Sequence, residues 1–179
     1  MSKSRVPNPK DPAGPPPERA DVERAIESVL EQEKFQTLVR VQPEPADIET
    51  ITLCHPRDYV EAIKEASPQE GMVQLDADTS MSPGSWEAAL RAVGGAMLAV
   101  DEVVGKKAAN AFVAHRPPGH HAETVRPMGF CIFNQAAIAA RYAQKKHGLH
   151  RVAVVDFDVH HGNGTEDILA NDDRVLMVG

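Results

Sequence analysis

Two polar clusters hold the residue types that could do chemistry. One is His115-Arg116-Pro117-Pro118-Gly119-His120-His121; the other is Asp156-Phe157-Asp158-Val159-His160-His161-Gly162-Asn163-Gly164. Side chains alternate along an extended chain, so Asp156, Asp158 and His160 can share one side. Carboxylate oxygen together with imidazole nitrogen suits a borderline divalent ion such as zinc, and a catalytic zinc takes three protein ligands and leaves one position open. Asp158 and His160 supply two; Asp156 is either the third or the acid that orients a histidine. Three alternating polar groups straight after the apolar run Val152–Val155 fit a merely solvated strand end poorly.

In the first cluster Pro117-Pro118 stiffens the approach and Gly119 permits a tight turn. Two consecutive histidines do not easily face one small ion, so acid–base work suits at least one of them. A histidine near its reference pKa of about 6.5 can take a proton from an activated water and return it to a leaving group. Its other nitrogen then needs a carboxylate or an amide to fix the tautomer, and Asp156 and Asn163 are the candidates.

The elements that must position these groups follow from pattern. From residue 111 the chain reads strand, helix, strand, helix, strand. Ala111–Ala114 is a short apolar strand, and Asn134 caps a helix that Gly148 stops. Arg151–Phe157 (RVAVVDF) reads as a strand buried on both faces, Thr165 caps a short helix with Glu166 and Asp167 in its first turn, and Arg174–Val178 is a third strand. Such alternation predicts an α/β fold with a mainly parallel sheet, helices on both faces, and ligands bound beyond the carboxyl ends of the strands. Both clusters sit at those ends.

Upstream, a helix is expected from Glu18, with Val22, Ile26, Val29 and Leu30 on one face. Another opens at His55-Pro56, with Tyr59, Val60 and Ile63 inward. A longer one runs from Ser82-Pro83 to about Val104, where Gly94-Gly95 allows a close approach to a sheet. Thr37–Val41 is a short strand candidate, and His55 and Tyr59 read as helix packing.

Composition bounds the function. The chain has 179 residues with 19 basic and 26 acidic side chains, net −7. Residues 1–110 hold 12 of the basic and 19 of the acidic groups, and residues 111–179 hold 7 of each together with seven of the eight histidines. An acidic chain lacks the basic surface that nucleic-acid binding requires, so no direct nucleic-acid partner is expected. No apolar run approaches the roughly 20 residues that span a bilayer, so no membrane association is expected. Cys54 and Cys131 are the two cysteines, too few for a disulfide scaffold, and the start of the chain has no apolar core of a secretory signal. A cytoplasmic location follows as the expectation. Six of the 14 prolines fall in the first 17 residues, so residues 1–17 read as an extended proline-rich arm ahead of a folded portion, 18–179.

Three blocks, HRPPGHHA, GFCIFNQAAIAARYA and VAVVDFDVHHGNGTEDI, resemble the zinc-dependent histone deacetylase superfamily. The resemblance extends over nearly the whole chain after the arm, including HPRDYVEAI. The segment DADTSMSPGSWEAALRAVGGAMLAVDEVV resembles the class II-related bacterial branch of histone deacetylase-like and acetylpolyamine amidohydrolases. Asn163 agrees, because the class I pattern has Asp there.

The resemblance implies a three-layer α/β/α arginase/deacetylase-like fold and hydrolysis of an acetylated lysine, polyamine or other small acetylated amide. It implies Asp158 and His160 as zinc ligands, His121 as general base and acid oriented by Asn163, and His120 as its electrostatic neighbour oriented by Asp156. Phe130 matches a wall of the substrate tunnel, and the Gly129 carbonyl an acceptor for the substrate N–H. The backbone carbonyls of Asp156, Asp158 and His160, with the Asp156 side chain, match part of a structural potassium or sodium site. His161 has no metal role in the pattern, and Cys131 reads as packing.

The family's third zinc ligand, its transition-state-stabilising Tyr or His and its second aromatic wall all lie downstream of the position matching Gly179. This chain is therefore expected to hold an incomplete catalytic domain with little activity alone. The alternatives are a manganese ureohydrolase on a related fold, which needs a bridging two-metal carboxylate set, and a non-catalytic truncated module. A homo-oligomer is left open.

Overall fold

The computed structural model describes residues 20–179; the expected arm over residues 1–17 lies outside them. The chain divides into a unit ending at Gln36 and a larger unit, Thr37–Gly179. In the first, α1 (Ala20–Leu30) is followed by a 3-10 turn at Glu33–Phe35.

The second unit opens with a single helical turn, α2 (Ile48–Ile51), capped by Asp47, whose Oδ1 accepts the Thr50 N–H at 2.7 Å. Pro56 then stands at the N-cap of α3 (Arg57–Ala66), one position earlier than expected, and Tyr59, Val60 and Ile63 point inward as their spacing predicts. A two-residue hairpin that the sequence pattern did not announce, β1 (Val73–Gln74) with β2 (Ser80–Met81), precedes the long helix α4 (Ser85–Val104). Asn134 caps α5 (Gln135–His147) by accepting the Ala137 N–H at 3.0 Å, and Gly148 ends the helix in the left-handed conformation, φ +67°. Strand β3 (Val152–Val155), helix α6 (Asn163–Leu169) and strand β4 (Val175–Val178) complete the unit, with β3 and β4 paired in parallel.

The core lies where α3, α4 and α5 meet. Ile51, Val60, Val93, Phe133 and Ile138 are fully buried there, each contributing about 1.5–3 kcal/mol of burial free energy. Phe133 takes Trp86 and Tyr59 edge-on, with ring centroids 5.9 and 6.1 Å away. A polar tie joins α4 to α5 at the surface. Asp101 accepts from His147 Nε2 at 2.7 Å, Lys146 Nζ at 2.9 Å and Tyr142 Oη at 3.1 Å.

Five expectations are corrected. Thr37–Val41 and Ala111–Ala114 form no strand among the described residues, since β-propensity makes a strand only where a neighbour completes the ladder. Gly94 and Gly95 do permit a close approach, but to extended segments and not to a sheet. A Cβ on Gly94 would fall 1.9 Å from the Glu44 carbonyl oxygen, and one on Gly95 would fall 2.8 Å from Val113 Cγ1. Strand β3 is covered on one face only. Val152 and Val154, with Val175 of β4, pack against the core, while Val155, Leu176 and Val178 on the other face are exposed among the described residues. Thr165 does not cap α6; Gly162 holds the N-cap position and Thr165 is buried inside the first turn.

Candidate active site

The tandem-histidine loop is tied to α6 and α5 largely through its main chain. The Thr165 N–H donates to the His120 carbonyl at 3.1 Å, and Ala122 N–H to the Gly119 carbonyl at 3.0 Å. Asn134 Nδ2 donates to the Ala122 carbonyl at 3.3 Å and to Thr165 Oγ1 at 3.1 Å. Gly164 lies so close beneath that a Cβ there would stand 2.2 Å from the Ala122 carbonyl oxygen. The same turn thus carries the Asn163 side chain to the loop and leaves room for the loop's backbone.

Behind the loop stands His55, expected only to pack. It is fully buried; its Nε2 accepts the Asn134 N–H at 2.9 Å, and its Nδ1 donates to the Thr124 carbonyl at 3.1 Å. An imidazole that accepts at one nitrogen and donates at the other is neutral, and burial pushes its pKa down to about 4. Thr124 is anchored in turn, its N–H and hydroxyl donating to Asp167 Oδ2 at 2.8 and 2.6 Å.

The two histidines face different partners. His120 Nδ1 lies 2.9 Å from Asp156 Oδ2, and His121 Nδ1 lies 2.7 Å from Asn163 Oδ1. Both acceptors require a proton on Nδ1, which leaves Nε2 of each ring as the nitrogen able to exchange a proton. The rings are stacked obliquely, 4.0 Å between centroids. All four residues that the sequence singles out for acid–base work are therefore brought together in the pairings expected from it.

The segment after β3 departs from strand alternation. The Asp156 N–H still pairs with the Val178 carbonyl at 2.7 Å, but residues 158–160 bend. Asp156 Oδ1 accepts the Asp158 N–H at 3.2 Å, and Asp158 Oδ1 accepts the His160 N–H at 2.7 Å. This last bond is the main reason the Asp158 carboxyl titrates below the usual carboxylate range. His160 Nδ1 stands 3.1 Å from Asp158 Oδ1, so one carboxylate and one imidazole lie side by side. One carboxylate oxygen and one imidazole nitrogen, both reachable from solvent, fit two positions of a zinc site. Asp156 has both oxygens engaged by His120 and by the bend, which fits an orienting acid and not a third ligand. Among the described residues no group of three or more His, Cys, Asp or Glu side chains is arranged to hold a metal. The ring of His160 stands 6.0 Å from that of His121, and His161 turns outward, 3.4 Å from Glu166.

Gly129 and Phe130 form a turn against the His121 ring. Both are left-handed, φ +57° and +65°, an uncommon conformation for a phenylalanine. A Cβ on Gly129 would lie 2.3 Å from His121 Cδ2. The turn is held by the loop between β1 and β2, where Asp78 Oδ1 accepts the Gly129 N–H at 2.9 Å and Thr79 Oγ1 accepts the Phe130 N–H at 3.0 Å. The Gly129 carbonyl takes the Cys131 thiol at 3.3 Å, and the Phe130 side chain stands exposed. Asp78, Thr79, Glu123, Asn134, Thr165 and the hub role of His55 are additions that the sequence reading missed. The turn-forming run LDADT was the one available signal for the first two.

Parallel strands joined by a crossover helix, with paired histidines and a carboxylate-rich bend beyond the strand ends, are features of the arginase/deacetylase class of α/β folds. The chain belongs to the histone deacetylase domain family, whose sequence pattern matches residues 16–179. It is 39% identical over 152 residues to a probable deacetylase of Archaeoglobus fulgidus, covering 85% of this chain and 41% of that protein. It is 38% identical over 162 residues to the histone deacetylase-like amidohydrolase of Pseudomonas aeruginosa, covering 90% of this chain and 42% of the relative. The crystal structure of the HDA15 HD domain superposes with a TM-score of 0.86 at 32% identity, over 97% of this chain and 48% of that one. The chain thus spans less than half the length of each of these relatives.

Proposed function

We propose that these residues form part of a zinc-dependent amide hydrolase that removes acetyl groups from acetyl-lysine, acetylated polyamine or a related small acetylated amine. The observation that carries the reading is the juxtaposition of two Nδ1-protonated histidines with the converging Asp158–His160 donor pair. Zinc, when bound by Asp158 and His160 and a third ligand, supplies Lewis-acid polarisation of the acetyl carbonyl and acidification of water. His121 accepts the proton of the attacking water at Nε2 and delivers it to the departing amine. His120, held by Asp156, places a second imidazole beside the developing charge. The Gly129–Phe130 turn lines the approach for the aliphatic chain, with the Gly129 carbonyl receiving the substrate N–H. A structural potassium or sodium ion held by the backbone carbonyls of Asp156, Asp158 and His160, with the Asp156 side chain, belongs to the same reading.

The test compares this chain with one extended to the length of its relatives. The extended chain is expected to bind one zinc per subunit and to release acetate from acetyl-lysine peptides or acetylpolyamines, with turnover falling about 10²–10⁴-fold in His121→Ala. The 179-residue chain, with two zinc donors among its described residues, is expected to turn over little. Two manganese ions per chain by metal analysis would favour the ureohydrolase reading instead. Robust zinc-dependent turnover by residues 1–179 would overturn the claim that further ligands are required.

A further inference from the structure

Glu123 follows the tandem-histidine loop and has no part in the acid–base assignments above. Its Oε1 accepts from Asn163 Nδ2 at 2.9 Å, while Asn163 Oδ1 faces His121 Nδ1 at 2.7 Å. The three side chains form one line, imidazole to amide to carboxylate. His120 reaches its carboxylate directly; His121 reaches one through an interposed amide.

We infer that Glu123 is a positioning residue that locks the orientation of the Asn163 amide and, through it, the tautomer of His121. An asparagine amide has two faces of opposite character and, left alone, can present either to an imidazole. A carboxylate is an acceptor only, so the amide must turn its NH₂ toward Glu123. The carbonyl oxygen is then forced toward His121 and demands a proton on Nδ1. Nε2 is thereby kept bare and able to take a proton. Turned the other way, the amide would set its oxygen against the Glu123 carboxylate and offer N–H to Nδ1, which would place the ring proton on Nε2 and abolish the base. The second acceptor near Asn163 Nδ2, Met128 Sδ at 3.3 Å, is a thioether and opposes that rotation weakly.

Glu123 is itself held in place. It opens a tight turn in which its N–H donates to the Arg126 carbonyl at 3.0 Å. The turn is anchored through Arg126 Nε to Asp76 Oδ2 at 2.8 Å, and through Thr124 to Asp167 of α6. The carboxylate therefore comes from a fixed backbone and not from a free surface chain.

The use of this tautomer in catalysis rests on the hydrolase reading; the tautomer itself does not. The experiment is a long-range ¹H–¹⁵N spectrum of the zinc-loaded full chain carrying ¹⁵N-histidine, which distinguishes Nδ1–H from Nε2–H at His121. The unmutated chain is expected to show Nδ1–H. Glu123→Leu is expected to shift His121 toward Nε2–H, and Glu123→Gln, whose amide can turn either face to Asn163, to leave a mixture of the two tautomers. Asn163→Asp combined with Glu123→Leu is expected to restore the original pattern, because a carboxylate beside His121 needs no orientation. With these changes kcat for acetate release falls about tenfold in Glu123→Leu at unchanged KM.

An unchanged His121 pattern in Glu123→Leu overturns the inference, as does failure of Asn163→Asp to restore the pattern in the Glu123→Leu background. Should Glu123→Leu fail to fold, the side-chain amide of Asn163 in the unmutated chain decides. One proton protected from exchange supports the lock, and two equally exchanging protons overturn it. Zinc affinity at Asp158 and His160 reports separately on the hydrolase reading. Loss of zinc binding with a Glu123-dependent tautomer defeats that reading alone, and tight zinc with an indifferent tautomer defeats this inference alone.

Discussion

At the scale of single residues, burial and direction of hydrogen bonding decide what each histidine does. His120 and His121 keep one nitrogen free because an oxygen acceptor occupies the other. His55 has both nitrogens committed and sits in the core with its pKa near 4. Its folded value lies below the unfolded reference of about 6.5, so the unfolded chain binds the extra proton. The stability His55 contributes is therefore fully present above about pH 6.5 and is lost progressively as pH falls toward 4, amounting to about 3 kcal/mol. Urea unfolding between pH 7 and pH 4 should show this loss, and His55→Gln should flatten that part of the profile while lowering stability at pH 7. A profile as steep in His55→Gln as in the unmutated chain would assign the acid sensitivity elsewhere.

At the scale of elements, α5 and α6 matter to the site through their first turns. Asn134 caps α5 with its carbonyl oxygen and spends its NH₂ on the Ala122 carbonyl and Thr165 hydroxyl, so one side chain starts a helix and fixes the tandem-histidine loop. Asn134→Ala should cost the cap, about 1 kcal/mol, plus about 1–3 kcal/mol for the buried groups left unpaired. The measurement is the shift of the urea midpoint, compared with Asn171→Ala on the exposed surface, which should stay within about 0.5 kcal/mol. These first turns also mark the limit of what the sequence discloses. The spacing around Asn134, Gly148 and Tyr59 predicts elements because caps and amphipathic faces are local. The dyads His120–Asp156 and His121–Asn163 were readable because each partner lies in a recognisable block. Glu123 and Asp78 were not, since neither stands in one of those blocks, and Thr165 reads locally as a helix cap while its partner Asn134 is brought to it only by the fold. Ala111–Ala114 misleads for a related reason: an apolar run states a preference for a strand but not the presence of a neighbour to pair with.

At the scale of the whole molecule, the parallel pair β3–β4 presents one covered and one bare face. Val155 and Leu176 are each 63% exposed and Val178 50%, and the strand pairing sets these three side by side on one face, an apolar cluster rather than isolated surface residues. The 179-residue chain alone is expected to bind an apolar fluorescent dye and to self-associate with concentration. Val155→Thr with Leu176→Thr should reduce both, since threonine keeps the strand preference and lowers apolarity. Sedimentation velocity checks this, and an unchanged distribution would place the association on another surface. The site itself has a consequence for how the molecule assembles. The His120–Asp156 and His121–Asn163 contacts span 36 and 42 residues and enclose the same stretch of chain, α5 and β3 included. Closing a loop of that size carries its entropy once, and a second contact across nearly the same closure adds little more. The two dyads are therefore largely one closure event in chain entropy: once either contact has formed, the other costs little more to close.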